Sequence, residues 1–109
     1  MKILKMKIDL ILKELKNELQ SLYGKKLAEI ILYGSYARGN KTSQSDIDIL
    51  VVLNGKIKAG KEIDRMINII SELNLKHNSL ISVIPVSLDE YESIKSPLIL
   101  NIKREGISV

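Results

Sequence analysis

Two short apolar runs in the middle of the chain, separated by a polar segment, constrain the fold more than any other feature. The first run ends where Gly34 interrupts it, and the second is closed by a turn signal that ends in Gly55. Short apolar runs that are rich in Ile, Leu and Val and bounded by turn residues are typical of buried strands. We therefore predict strands over Lys26–Tyr33 and Asp46–Leu53, with a short helical turn and a loop over residues 35–45 between them.

Apolar periodicity and cap residues predict the other elements. Two long helices are expected at Ile3–Leu22 and Ile57–Leu75, and a third strand at Leu80–Val86. Two short helices should follow, one after Ser87 and one from Pro97 to Arg104, and a terminal strand at Ile107–Val109. Ser87 with Glu90 forms a capping box, and Pro85 places the third strand at a sheet edge because proline cannot donate to a ladder. This order predicts one α/β domain over residues 1–109, with a small mixed β-sheet flanked by helices.

The composition narrows the classes of partner. Hydrophobic residues make up 45% of the 109 residues, but Trp, Phe and Cys are absent, so aliphatic side chains must fill the core and neither disulfides nor thiolate metal sites can form. The formal charge of +4 comes from lysines scattered among glutamates, and without basic runs interleaved with aromatics no nucleic-acid face is expected. Charged residues interrupt the apolar N-terminal stretch, which therefore resembles neither a signal peptide nor a membrane span. We expect a reducing, cytoplasmic location.

Asp46 and Asp48 carry the clearest chemical signal. Side chains two residues apart on a strand point to the same side, so both carboxylates are expected together at the N-terminal end of the second strand, with Ile47 and Ile49 facing the other way. Adjacent carboxylates repel each other, and a bound cation compensates for that repulsion. Hard oxygen ligands favour Mg²⁺, and such a pair suits an in-line phosphoryl displacement. Two acids at the start of a strand are also ordinary turn chemistry, so the pair by itself leaves both interpretations open.

The segment before the aspartates has the chemistry of a phosphate site. Gly34 directly follows a strand, where a glycine lets the backbone come close to a ligand, and Ser35 offers a hydroxyl and an N–H group at the start of a helical turn. Arg38 and Lys41 can neutralise phosphate charge from the same loop. We predict that Gly34, Ser35, Arg38 and Ser45 bind a nucleotide.

The stretch LYGSYARGNKTSQSDIDILVVL resembles the signature of the polymerase-β-like nucleotidyltransferase superfamily, in which Gly-Ser, ten further residues and Asp-x-Asp lie between two apolar strands. Within that superfamily the chain is most similar to the minimal nucleotidyltransferases, the MntA-like antitoxin partners of HEPN-type toxin ribonucleases. The resemblance implies a nucleotidyltransferase fold, contacts of Gly34 and Ser35 with the β- and γ-phosphates, and catalytic Asp46 and Asp48 that coordinate Mg²⁺. It also implies transfer of a nucleotidyl group, adenylyl from ATP or the equivalent group of another nucleoside triphosphate, to a hydroxyl, such as a tyrosine of a partner toxin in complex with this chain.

One position departs from the resemblance. Members of the superfamily generally carry a third carboxylate on the next core strand, and the matching position here is Ser82. A serine hydroxyl neither supplies the charge that a bridging metal needs nor readily accepts a proton near neutral pH. The alternative is therefore a catalytically impaired nucleotide-binding module that neutralises its partner by forming a complex. His77, the only histidine, is expected in a solvent-exposed loop outside the site.

Overall fold

The computed structural model describes residues 2–39, 46–93 and 96–109, with the backbone alone for residues 2–5. Its helices and strands are α1 (Lys2–Tyr23), β1 (Leu27–Tyr33), α2 (Ser35–Arg38), β2 (Ile47–Leu53), α3 (Ala59–His77), β3 (Ile81–Ser87), α4 (Leu88–Ser93), α5 (Pro97–Glu105) and β4 (Ile107–Ser108). A 3-10 turn over Gly24–Lys26 joins α1 to β1. The predicted α/β fold with flanking helices is confirmed. Within the described residues, no helix is both long enough and apolar enough to cross a membrane.

The four strands form one mixed sheet in the order β3-β2-β1-β4. β1 runs antiparallel to β2 and to β4, whereas β2 and β3 are parallel. β3 therefore lies at an edge, as Pro85 predicted. β2 is a central strand in which every residue except Asp48 is buried. The strand that carries Asp48 is thus held on both sides by backbone pairing.

Two long helices, α1 and α3, cover one face of the sheet. Ile11, Leu15 and Leu19 of α1 and Met66 of α3 are at most 1% exposed, in one cluster with Ile49 of β2. The helical period that predicted α1 therefore turns its apolar stripe towards the sheet. Each such aliphatic side chain contributes roughly 1.5–3 kcal/mol when it is fully buried, so this cluster is the main source of stability.

A buried hydrogen bond joins the two long helices. The hydroxyl of Tyr23 donates to Oε1 of Glu62 over 2.8 Å, and Glu62 is only 3% exposed. Nη1 of Arg65 lies 3.8 Å from the same carboxylate oxygen. Burial, followed by the contact with Glu62, raises the pKa of Tyr23, so its phenol stays protonated and continues to donate. This contact lies near the end of the sheet where β1 begins, away from Asp48.

A smaller cluster covers the opposite face of the sheet. Leu50 and Val52 of β2 pack there against Ile99 and Ile102 of α5. Asp48 shares this face because strand side chains alternate with a period of two. The short helices that cover this face leave Asp48 half-buried at the beginning of β2. The carboxylate is therefore partly desolvated and still accessible.

The ends of the elements show where the predictions hold and where they fail. The capping box is confirmed, because the N–H of Glu90 donates to Oγ of Ser87 over 3.1 Å. The prediction that His77 lies in an exposed loop is wrong. His77 is the last residue of α3, its side chain is 9% exposed, and its Nε2 lies 2.5 Å from Oε2 of Glu14. The physical reason is that α1 presents a carboxylate to the last turn of α3, which lets the imidazole be buried with a partner.

Candidate active site

The candidate site begins at Gly34, where β1 turns into α2. Gly34 has φ 75° and ψ −149°, a combination that is essentially restricted to glycine. Its carbonyl accepts a hydrogen bond from the N–H of Arg38 over 3.0 Å, which closes the turn of α2. A Cβ atom on Gly34 would overlap Oδ2 of Asp48 and lie 3.2 Å from its Cγ. Glycine at this position therefore allows the Asp48 carboxylate to lie directly against the turn between strand and helix.

The two aspartates lie at the beginning of β2. Asp48 is inside the strand, where it pairs with Tyr33 of β1 and is aligned with Ser82 of β3. Asp46 immediately precedes the strand and is exposed, whereas Asp48 is half-buried. Ile47 is 2% exposed and belongs to the cluster on the opposite face. Ile47 and Ile49 thus face away from Asp48 as predicted, whereas Asp46 lies just outside the strand.

Electrostatics at the aspartate pair favour a bound cation. Burial raises the pKa of the Asp48 carboxyl, the neighbouring charge of Asp46 raises it further, and Arg38 partly offsets both effects. Burial is also the main reason that the pKa of the Tyr33 hydroxyl is raised, and the charge of Asp48 adds to it. Both shifts mean that negative charge is unfavourable at this place. A cation bound by the carboxylates would relieve that cost.

Helix α2 presents Ser35 and Arg38 beside the aspartates. Gly34 occupies the N-cap position and Ser35 is the first helical residue, so the serine is not the cap of α2. Arg38 is the last residue of α2, and its Nη1 lies 3.6 Å from Oε2 of Glu105. The glycine turn, the serine, the arginine and the aspartate pair are therefore gathered at one end of the sheet.

The two aspartates are the candidate metal ligands at this end of the sheet. Across residues 2–39, 46–93 and 96–109, no group of three or more His, Cys, Asp or Glu side chains could hold a metal ion. Mg²⁺ commonly binds through one or two carboxylates together with substrate phosphates and water. Asp46 and Asp48 therefore fit an ion that is shared with a bound nucleotide better than a cage made by the described residues alone.

Some residues of interest fall outside the predicted set or outside the described part of the chain. Ser45 and Lys41 lie outside the described residues, so their contacts with phosphate remain predictions. Glu105 was not predicted, although its carboxylate approaches Arg38. A glutamate on a short C-terminal helix belongs to no motif, and it comes near the site because α5 packs on the sheet and β4 pairs with β1.

Comparison with known proteins gives these features a context. Residues 12–108 match the model of the nucleotidyltransferase domain family. The chain is 35% identical over 104 residues to "Putative protein adenylyltransferase MJ0141" of Methanocaldococcus jannaschii, which covers 95% of this chain and 100% of that protein. The crystal structure of a putative nucleotidyltransferase from Sulfolobus solfataricus superimposes with a TM-score of 0.69 at 22% identity, over 96% of this chain and 83% of that one. A toxin-antitoxin structure with AMP-PNP gives a TM-score of 0.60 at 21% identity, over 86% and 68% of the respective chains. The two structures share the fold described above.

Proposed function

This chain belongs to the nucleotidyltransferase domain family and is a nucleotidyltransferase, and from that premise we propose that it transfers an adenylyl group from ATP to a hydroxyl acceptor. The close approach of the Asp48 carboxylate to the Gly34 turn carries this proposal. It supports the proposal because a carboxylate oxygen lies beside the start of a helical turn, where backbone N–H groups suit phosphate oxygens. The choice of adenylyl as the transferred group is supported by the relative that is named as a protein adenylyltransferase.

The proposed reaction is a single displacement at the α-phosphorus of ATP. The acceptor oxygen forms a bond to that phosphorus, the bond to the oxygen bridging to the β-phosphate breaks, and pyrophosphate leaves with the electron pair. The turn at Gly34 and Ser35 holds the β- and γ-phosphates, and Arg38 stabilises the charge that develops on pyrophosphate. The hydroxyl proton passes to water, because the residue aligned with Asp48 on β3 is Ser82 and not a carboxylate.

Asp46 and Asp48 are proposed to hold Mg²⁺. The ion would neutralise phosphate charge and polarise the phosphoryl oxygens when it is bound. Support comes from the raised pKa of Asp48, which has burial and the charge of Asp46 as its main causes. An unliganded carboxylate pair is costly in such a place, and a divalent cation would repay that cost when nucleotide binds.

The acceptor is proposed to be a tyrosine of a partner protein, a HEPN-type toxin that the modification silences. This chain would then act as an antitoxin in complex with its target. Support comes from the motif that the chain shares with such antitoxins and from the toxin-antitoxin structure with AMP-PNP that has the same fold. A domain of 109 residues also uses most of its elements to form its own core, which leaves few of them for an acceptor pocket. A second chain would supply that pocket.

The direct test is the intact mass of the partner. The chain is incubated with the protein encoded beside it, ATP and Mg²⁺, and the partner is expected to gain the mass of one adenylyl group. The Asp46→Asn/Asp48→Asn variant should lose both this transfer and Mg²⁺-dependent ATP binding by calorimetry. Asp64→Asn/Asp89→Asn removes two exposed carboxylates from α3 and α4 and should behave as the wild type. Unchanged ATP binding in the first variant would exclude the metal role of the pair.

A second candidate function is favoured by Ser82, which is exposed and aligned with Asp48. In this alternative the chain binds a nucleotide and neutralises its partner by complex formation, without transfer. A stable complex that shows no mass gain would support it. Ser82→Asp then provides a further test, because a chain that is impaired only by the missing carboxylate should gain transfer activity, whereas the Ser82→Asn control should not.

A further inference from the structure

An ion pair connects the candidate site to the C-terminal end of the chain. Nη1 of Arg38 lies 3.6 Å from Oε2 of Glu105, and the two side chains are 46% and 38% exposed. Ion pairs of this length and exposure add little to stability, because water screens them and both side chains lose conformational freedom. The location distinguishes this pair, since Arg38 also acts on the Asp48 carboxyl and lowers its pKa against the effect of burial.

Glu105 begins a C-terminal arm, which we define as Glu105–Val109. The N–H of Gly106 donates to the carbonyl of Ile102 over 2.7 Å, which fixes the end of α5. A Cβ atom on Gly106 would lie only 2.5 Å from that carbonyl oxygen and 2.5 Å from Cγ2 of Ile31, so the arm packs tightly on β1. The arm then forms β4, which pairs antiparallel with β1. Its position is therefore set by the strand that leads into the Gly34 turn.

Both partners of the ion pair take their positions from β1. In the antiparallel register Ile107 lies opposite Leu32, so the arm approaches the sheet next to the end of β1 where Gly34 follows. Arg38 extends from α2, whose turn is closed by the hydrogen bond between its N–H and the Gly34 carbonyl. The contact between Arg38 and Glu105 thus bridges two elements anchored on one strand.

We propose that Glu105 is a positioning residue of the nucleotide site, which directs the guanidinium of Arg38 towards the phosphates of a nucleotide bound at the Gly34 turn. A guanidinium carries five N–H donors in a planar fork, and the contact with Glu105 involves one terminal nitrogen, so the other donors remain for phosphate oxygens. The role of Glu105 rests on the proposed function, because it requires nucleotide phosphates at that turn. The C-terminal arm thereby becomes part of a site whose motif lies far from it in the sequence.

A double-mutant cycle on ATP affinity tests this role, with the full-length chain, Mg²⁺ and calorimetry. Glu105→Gln is expected to weaken ATP binding by about threefold to tenfold in the wild-type background. In an Arg38→Gln background, Glu105→Gln is expected to have no further effect, because no guanidinium is left to direct. Glu14→Gln is the matched control, since it removes a carboxylate from a different ion pair, and it should leave ATP affinity unchanged.

Several results would overturn the proposal. Unchanged or tighter ATP binding in Glu105→Gln would mean that the carboxylate does not position Arg38. An equal loss in both backgrounds would show that Glu105 acts through the fold, and thermal unfolding would then reveal the same loss of stability in both. A folded wild-type chain that binds no ATP would refute the proposed function and this role together. ATP binding that requires Asp46 and is insensitive to Glu105→Gln would refute the role of Glu105 alone.

Discussion

Replacement of Gly34 by alanine tests the contact that joins the aspartate pair to the phosphate turn. The backbone of Gly34 lies in a region that costs a non-glycine residue about 1–3 kcal/mol. The new Cβ would also overlap Oδ2 of Asp48, so the carboxylate must leave its present rotamer at a cost of roughly 0.5–1.5 kcal/mol. We expect Gly34→Ala to lower the free energy of unfolding by about 2–4 kcal/mol, which is a large share of the stability of an ordinary domain.

Two further variants separate the two costs. Gly55 has φ 83° and nothing within 4 Å of a Cβ built on it, so Gly55→Ala carries the backbone cost alone and should lose about 1–2 kcal/mol. In an Asp48→Ala background the overlapping carboxylate is gone, and the cost of Gly34→Ala should fall by about 1 kcal/mol. Urea unfolding of the wild type and these variants provides the free energies, which are comparable when the slopes agree.

The same proteins should also differ in nucleotide binding. Gly34→Ala displaces Asp48 and is expected to abolish Mg²⁺-dependent ATP binding, whereas Gly55→Ala should bind ATP as the wild type does. A wild-type urea midpoint for Gly34→Ala would show that the contact between Gly34 and Asp48 does not require a glycine. The same conclusion would follow if Gly34→Ala cost as much stability in the Asp48→Ala background as in the wild type. If Gly34→Ala were destabilised but still bound ATP, the contact between Gly34 and Asp48 would be needed for stability and not for nucleotide binding.

Two other substitutions test the charges of the fold. Tyr23→Phe leaves the buried Glu62 carboxylate without its phenol donor, so it should lower the free energy of unfolding by about 1–3 kcal/mol. Urea titration measures this loss, and a wild-type midpoint would contradict the buried hydrogen bond. Asp48→Asn should stabilise the metal-free chain near neutral pH, because burial and Asp46 raise the pKa of Asp48 and its ionised form therefore penalises the folded state. That gain should vanish as the pH falls below the ordinary aspartate range, where Asp48 is protonated in the folded and unfolded chains, and a gain independent of pH would exclude this cause.

Most of the fold is predictable because its signals are local. The capping box at Ser87 needs only a glutamate three residues later, and the strands need only short apolar runs between turn residues. Pairing between distant side chains is not local. Tyr23 contacts Glu62 across 39 residues and Glu14 contacts His77 across 63, so neither contact can be predicted from the sequence. The wrong prediction for His77 follows from this, since a lone polar residue near a helix end indicates exposure until its partner is known.

The residues of the candidate site likewise divide into those that local sequence signals predict and those that depend on distant contacts. Gly34, Asp46 and Asp48 lie close together in the chain, and the period of two on a strand already decides on which side the carboxylates lie. Ser82 was identified through the resemblance to the superfamily, and the register of β2 and β3 aligns it with Asp48. Glu105 could not be predicted, because its approach to Arg38 depends on how α5 and β4 pack against β1 at the end of the chain.

The charges gathered at this end of the sheet determine how a nucleotide can enter. In the described part of the site Arg38 lies near Glu105 and acts on Asp48, Asp46 adds a further negative charge, and the pKa of Asp48 is raised in spite of Arg38. A triphosphate adds several negative charges to a place that already disfavours them. Within the described residues Arg38 alone cannot compensate for both groups of anions, and we therefore expect a metal to strengthen ATP binding. A divalent cation held by the aspartates would change that balance, because it would attract the phosphates and reduce the repulsion between the two carboxylates at the same time. Nucleotide and metal are therefore expected to bind as a unit, with Arg38 left to orient the phosphates instead of neutralising the site.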